Sequence, residues 1–171
     1  MPEPAAPAPP QIGRCAAAAG PLPEELRTWM RMLAAAGVVE RTMTKHVKRA
    51  LGVSHDEFLV LCLLADQPGG TARMTQIAEL LGRPKTRLTY QVRCLHHLGL
   101  VTRETVRDDR RGIALTLTEK ARKLLAEQGP ALAVAVSQAL AETIGAERGS
   151  ALTALMPDAG CAIADTGNSA D

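Results

Sequence analysis

The stretch MTQIAELLGRPKTRLTYQVRCLHHLG, residues 74–99, decides the fold because it contains two short helical patterns separated by a glycine. The inward-facing residues of the first pattern are Ile77, Ala78 and Leu81. We expect Thr75 to cap this helix and Gly82 to end it, since glycine is common just beyond helix ends. Two short helices joined by a glycine turn predict a helix-turn-helix.

The second pattern has two distinct faces when its residues are placed at 100° intervals around a helix. Its inward stripe consists of Leu88, Val92 and Leu95. The opposite face carries Thr86, Tyr90, Arg93 and His97, and the first turn adds Lys85 and Arg87. Such a face suits a groove full of hydrogen-bond acceptors and phosphates. A solvated polar face with no partner is the alternative interpretation.

A charged turn, DDRRG at residues 108–112, lies between two strand-like runs, LVTRETV and GIALTLT. Ile113, Leu115 and Leu117 alternate with smaller or polar residues, which is the pattern of a half-buried strand. The two runs predict a β-hairpin with a charged tip. Two acids beside two arginines at this tip are either a solvated charge cluster or a functional element.

Long helices flank this central part. Residues 23–52 predict one helix of about 42 Å, longer than a small core can cover, so part of it should pack on another chain. Ser54 and Glu57 have capping-box spacing before the next helix. From Thr118 another long helix is expected, kinked or briefly broken at Gly129 and Pro130, and a last short helix should end at Pro157.

Composition limits the classes of function. The chain has 171 residues, 2% aromatic residues and a formal net charge of +2, which favours one helical domain. Residues 73–111 contain nine Lys or Arg against four Asp or Glu, so basic charge is concentrated there. No targeting signal and no apolar run of about 18 residues is present, which predicts a cytoplasmic protein with no membrane partner. The four cysteines lack CxxC spacing and are expected to be free thiols.

Three segments, RMTQIAELLG, LTYQVRCLHHLGLVTRE and DDRRGIALTLTEKA, resemble the MarR family of bacterial transcription regulators. The resemblance is good over about 60 residues, from Phe58 to Arg122, and implies that the hairpin is a wing lying along DNA. Asp109 and Arg111 match the family's Asp-x-Arg motif, whose arginine enters the minor groove. A carboxylate two residues away can orient that guanidinium, which a narrow minor groove attracts.

The resemblance implies a set of DNA contacts on the second helix and the wing. The expected contacts are Lys85, Thr86, Arg87, Thr89, Tyr90, Arg93, Asp109, Arg110 and Arg111, with Lys85 and Arg93 on the DNA backbone. Pro84 departs from the family pattern, which commonly has a serine cap there. The resemblance also implies a homodimer on double-stranded DNA, with half-sites about one helical turn apart, and a small-molecule effector contacted by Trp29 and Phe58.

The expected fold is mainly α with a small β-hairpin wing, a winged helix-turn-helix domain plus a helical dimerisation region. Its expected parts are a disordered Pro/Ala-rich arm (1–22), a dimerisation helix (23–53), the DNA-binding domain (54–118), C-terminal dimerisation helices (119–156) and a disordered tail (157–171). The expected function is a ligand-responsive repressor.

Other functions are less well supported by the sequence. No catalytic motif or cofactor motif is present, so we expect neither an enzyme nor a cofactor. No metal site is expected, because His46 and His55 are isolated in the sequence and His96 and His97 point apart. A cysteine-based redox sensor involving Cys15 stays open, as does a winged helix used only for protein interaction.

Overall fold

The computed structural model describes residues 22–106 and 109–155, without the side chains of residues 106 and 109–111. The expected arm, apart from Leu22, and the expected tail lie outside the described residues, as does Pro157. The elements are α1 (Glu24–Leu51), α2 (His55–Ala65), β1 (Thr71–Arg73), α3 (Met74–Leu80), α4 (Lys85–His97), β2 (Val101–Val106), β3 (Asp109–Leu117), α5 (Glu119–Ile144) and α6 (Ala146–Leu155). The expected fold class, mainly α with a small β-sheet in a winged helix-turn-helix arrangement, is confirmed.

The sheet has three antiparallel strands in the order β1-β3-β2, so the predicted hairpin is joined by a strand that the sequence did not indicate. β1 is too short to show an alternating pattern. It exists because it pairs with β3, where the hydroxyls of Thr71 and Thr116 lie 2.9 Å apart. A tertiary contact therefore defines this strand, and no local signal does.

Helix ends follow the expected chemistry with one exception. Gly52 ends α1 with a left-handed backbone, φ 73°, and Ser54 with Glu57 forms the predicted capping box of α2. Thr75 was wrong as the cap of α3, because that helix begins one residue earlier, at Met74. The backbone N–H of Arg73, the residue before it, donates to Gln76 Oε1 at 3.0 Å.

Of the two predicted alternatives for α5, a kink or a brief break at Gly129 and Pro130, the break is wrong. The helix runs from Glu119 to Ile144 with Pro130 inside it. Proline removes one backbone donor there, but α5 packs on α1, and Leu132, Ala135 and Ala139 beyond the proline are buried. Tertiary packing along the helix outweighs the local preference for a break.

One hydrophobic core joins the helix-turn-helix to both long helices. Its fully buried members include Val47 of α1, Leu61 of α2, Leu88 of α4 and Leu115 of β3. Each such side chain contributes roughly 1.5–3 kcal/mol by leaving water. The core therefore holds α4 in a fixed place against α2 and the sheet. No helix in the described part of the chain is long and apolar enough to cross a membrane.

Candidate nucleic-acid interface

α4 presents the two faces that its sequence predicts. Leu88, Val92 and Leu95 are fully buried, and every residue expected on the outer face is exposed. The sequence did not indicate that Gln91 is also buried, at 5% exposure, or that its Oε1 has no hydrogen-bond partner among the described residues. Helical periodicity places Gln91 beside the apolar stripe, so its position was readable even though its polarity suggested solvent.

The six candidate contacts on α4 lie together on its exposed surface. They are Lys85, Thr86, Arg87, Thr89, Tyr90 and Arg93. The guanidinium carbon of Arg93 lies 5.4 Å from the centre of the Tyr90 ring, a cation–π distance. The Thr89 hydroxyl donates to Lys85 O at 2.8 Å, so its oxygen is left to accept. The surface thus offers cations, hydroxyls and an aromatic ring to a partner.

Arg87 differs from the other candidates because its guanidinium is already bonded. Its Nη2 donates to Asp56 Oδ2 on α2, and Arg83 Nη2 donates to Asp56 Oδ1 at 3.2 Å. The Asp56 side chain is only 17% exposed. The sequence could not show this cluster, since 27 and 31 residues separate the arginines from Asp56.

The wing is formed as predicted by β2 and β3, and Asp109, Arg110 and Arg111 belong to β3 by backbone position. Their side chains lie outside the described residues. The pairing of the two strands shifts register between Thr105 and Val106, where a bulge or irregularity interrupts the ladder. The roles of the Asp-x-Arg residues stay predictions.

A shallow cavity of about 310 Å³ joins the start of α3, the start of α4 and the wing. Its polar lining residues are Arg73, Thr75, Lys85 and Thr89. The cationic groups of Arg73 and Lys85 and the Thr75 hydroxyl are donors of the kind that binds a phosphate. The sequence did not indicate Arg73 or Thr75 as candidate DNA contacts. The excess of Lys and Arg in residues 73–111 includes Arg73. That excess was the available signal, but it did not show where Arg73 lies in the fold.

A larger groove of about 640 Å³ lies between α2 and α5 and is lined by Phe58, Cys62, Leu125, Leu132 and Val136 among others. Trp29 is not part of it. Trp29 is 56% exposed and lies 14 residues, about 21 Å of helix, before the lining residue Met43. Phe58 therefore lines this groove, whereas Trp29 does not.

Cys62 is a partly buried free thiol that lines this groove. Burial, with a smaller effect from the Asp66 charge, raises its pKa to about 11. The thiol stays protonated at neutral pH and is a poor nucleophile. Cys94 is half-buried on α4, and Cys15 lies outside the described residues.

His55 is not isolated, which corrects the expectation from the sequence. The fold brings Glu40 of α1 to it, with 3.7 Å between His55 Nδ1 and Glu40 Oε1. Ligand-type atoms of Glu40, His55 and Asp56 lie within 4.8 Å of one another. Since Asp56 accepts from Arg83 and Arg87, the group forms part of a polar cluster linking α1, α2 and α4.

Comparison with known proteins identifies related regulators. A MarR family model matches residues 51–112. The solved structure of Sco3205, a MarR family transcriptional regulator from Streptomyces coelicolor in complex with DNA, shares 29% identity. It superposes with a TM-score of 0.66 and covers 78% of this chain and 83% of that one.

Two further solved structures share the fold. AbsC, a MarR family regulator from Streptomyces coelicolor, has 24% identity and a TM-score of 0.65, covering 86% of this chain and 97% of its own. BpsR from Bordetella bronchiseptica has 19% identity and a TM-score of 0.62, covering 89% and 100%. 6-Hydroxynicotinic acid regulates the DNA binding of BpsR. The comparison with curated protein sequences found no match.

Proposed function

We propose that the chain is a DNA-binding transcriptional regulator of the MarR family and that it is a ligand-responsive repressor acting as a homodimer on a pseudo-palindromic site. One observation carries the proposal: the exposed face of α4 bears cations, hydroxyls and Tyr90, while its opposite face is locked into the core. A rigidly held helix with such a face fits the major groove. A DNA partner agrees with the cytoplasmic location expected from the sequence.

We assign the contacts as follows. Thr86, Arg87, Thr89 and Tyr90 face the base edges, and Lys85 and Arg93 contact phosphates. Arg73 and Thr75 add to the phosphate contacts, because they share a cavity with Lys85. In the wing, Asp109 orients Arg111 for the minor groove, and Arg110 contacts the DNA backbone nearby.

The homodimer explains an apolar stripe that one chain leaves in water. Leu26, Trp29, Met30 and Leu33 recur at three- and four-residue spacing on α1 and are 47–56% exposed. Between α5 and α6 lies a groove of about 490 Å³ with mostly small lining residues, among them Ala133, Ser137, Ala141, Gly149 and Ser150. We propose that the stripe of one protomer lies in the groove of its partner. Two-fold symmetry makes the exchange reciprocal.

The groove between α2 and α5 is the proposed effector site. Its apolar lining and the Phe58 ring suit a small aromatic molecule, and Asp66 adds a polar group at the edge. BpsR, whose DNA binding responds to an aromatic acid, has the same fold. We retain Trp29 as an effector contact only in the dimer. An effector releases DNA if it prefers a dimer with wrongly spaced recognition helices.

A redox role for Cys62 has weaker support, because its raised pKa leaves little thiolate at neutral pH. For the groove that Cys62 lines, a non-covalent effector is therefore the better-supported trigger. The redox alternative at Cys15 stays a prediction.

The test is a DNA-binding measurement on the full chain. A preferred duplex is selected from a random pool with the wild-type protein, and binding to it and to a scrambled duplex is measured across a salt series. Arg111→Ala should weaken binding about tenfold or more, by the usual worth of a directed contact. Arg148→Ala on exposed α6 removes the same charge elsewhere and should bind nearly as the wild type does.

Equal weak binding of the wild-type protein to every duplex would contradict the proposal. That result would favour a winged helix that serves only protein interaction. If the protein prefers one duplex but Arg111→Ala binds it as well as the wild type, the wing assignment is wrong and the rest stands.

A further inference from the structure

Asp56 lies near the start of α2, far in the sequence from the candidate contacts on α4. In the fold it is hydrogen-bonded to one of those contacts, Arg87. Its oxygens accept from Arg83 and Arg87, which come from the two sides of Pro84. We propose that Asp56 is a positioning residue for DNA recognition: it aims Arg87 and fixes the N-terminal end of α4 against α2. The inference rests on the proposed function, since it assumes that α4 enters the major groove.

The start of α4 needs such an external anchor because its own sequence supplies none. Pro84 occupies the N-cap position without a side-chain hydrogen bond, and the first turn contains no acidic residue. α2, by contrast, begins with a complete capping box at Ser54 and Glu57. The Asp56 carboxylate supplies negative charge near the start of α4, where the helix dipole favours it.

The other end of α4 is tied to a different element. Lys120 Nζ donates to Leu98 O at 2.7 Å, and the Thr118 hydroxyl donates to Gly99 O at 2.8 Å. These polar contacts join the C-terminal end of α4 to the start of α5. Among the described side chains outside α4, only that of Asp56 hydrogen-bonds to a residue of its N-terminal turn, so without Asp56 this turn would be freer to move.

Arg87 can serve Asp56 and DNA at the same time. A guanidinium has five N–H donors in a fixed plane, and Asp56 engages Nη2 while the side chain stays 55% exposed. The remaining donors can reach the edge of a guanine. Because the carboxylate fixes the plane beforehand, less side-chain entropy is lost on binding. Asp56 should therefore affect discrimination between sequences more than attraction to DNA in general.

If Asp56 positions Arg87, Asp56→Asn should affect binding to the scrambled duplex and to the selected duplex differently. Loss of a negative charge should leave binding to the scrambled duplex unchanged or slightly tighter. The affinity ratio of selected over scrambled duplex should fall about tenfold, within the range for one directed arginine contact. The matched control is Glu79→Gln, at an exposed residue of α3. It changes the charge equally and should leave the affinity ratio of selected over scrambled duplex unchanged.

Arg83→Gln provides a second variant that leaves Arg87 in place. It should lower the ratio in the same direction, and the double variant with Asp56→Asn should lose little beyond Asp56→Asn alone, because the contact is already broken. Circular dichroism and thermal midpoints give the folded fraction of every variant, and affinities are corrected for it. If Asp56→Asn does not fold, Arg83→Gln decides.

Two results would overturn the positioning role. One is an Asp56→Asn ratio equal to that of Glu79→Gln. The other is equal tightening on both duplexes, which would make Asp56 a simple electrostatic competitor of DNA. A wild-type protein that prefers no duplex is a separate outcome, because it removes the proposed function itself and this inference with it.

Discussion

Gly69 and Gly70 share one backbone conformation but differ in their surroundings. Their φ angles are 70° and 71°, which any L side chain adopts at a cost of about 1 kcal/mol or more. A Cβ at Gly69 would meet nothing within 4 Å, whereas one at Gly70 would clash with Arg122 Nη2. That nitrogen donates to Gly69 O at 2.7 Å. The Arg122 side chain can move aside, but only by giving up this hydrogen bond.

Gly70→Ala should therefore destabilise the protein more than Gly69→Ala does. The expected difference in unfolding free energy is about 1 kcal/mol, the usual net value of one hydrogen bond. Urea unfolding of both variants measures it, and Gly69→Ala is the control for backbone strain. In an Arg122→Ala background the difference should vanish. If it persists there, contact with Arg122 is not what makes Gly70 necessary.

At the scale of elements, Pro130 is an unusual residue for the interior of α5. Proline lacks the N–H that would donate to Ala126 O, and such a residue costs a helix interior about 3 kcal/mol relative to alanine. Pro130 is exposed, so replacing it disturbs no core packing. Pro130→Ala should raise the free energy of unfolding by about 1–3 kcal/mol, less than the full propensity difference because the unfolded chain also gains freedom.

Thermal and urea unfolding check this prediction, with Glu127→Ala as the control. Glu127 is exposed in the same helix and has a helix propensity close to that of alanine, so its substitution should change stability by less than about 0.5 kcal/mol. A loss of stability in Pro130→Ala would mean that α5 needs a local distortion at this point.

The difference between local and tertiary signals explains what the sequence could predict. The stripe of Leu88, Val92 and Leu95 and the capping box at Ser54 are local patterns, and both were predicted correctly. β1 was missed because its three residues show no local pattern and the strand is defined by pairing with the distant β3. The bonds of Asp56 to Arg83 and Arg87 were missed for the same reason, since distant segments meet only in the folded core.

At the scale of the whole molecule, the two ends of α1 have different environments. Met43, Val47 and Leu51 are buried in the chain's own core, whereas the stripe from Leu26 to Leu33 faces water. Exposed apolar side chains at helical spacing indicate an interface, because one chain gains nothing by ordering them in solvent. The proposed function needs that interface, since a pair of half-sites one helical turn apart requires two recognition helices held at a fixed distance.

Leu33→Glu should therefore convert the dimer to a monomer and abolish tight binding to the selected duplex, because dimerisation would bury an unpaired carboxylate. Thr28→Glu is the matched control. Thr28 is exposed on another face of α1, so this variant should stay dimeric. Light scattering after size exclusion gives the oligomeric state.

Removing α6 by truncation before Gly145 should act as Leu33→Glu does, because it removes one side of the groove that receives the stripe. A truncated monomer that still binds the selected duplex tightly would show that DNA recognition does not depend on the dimer.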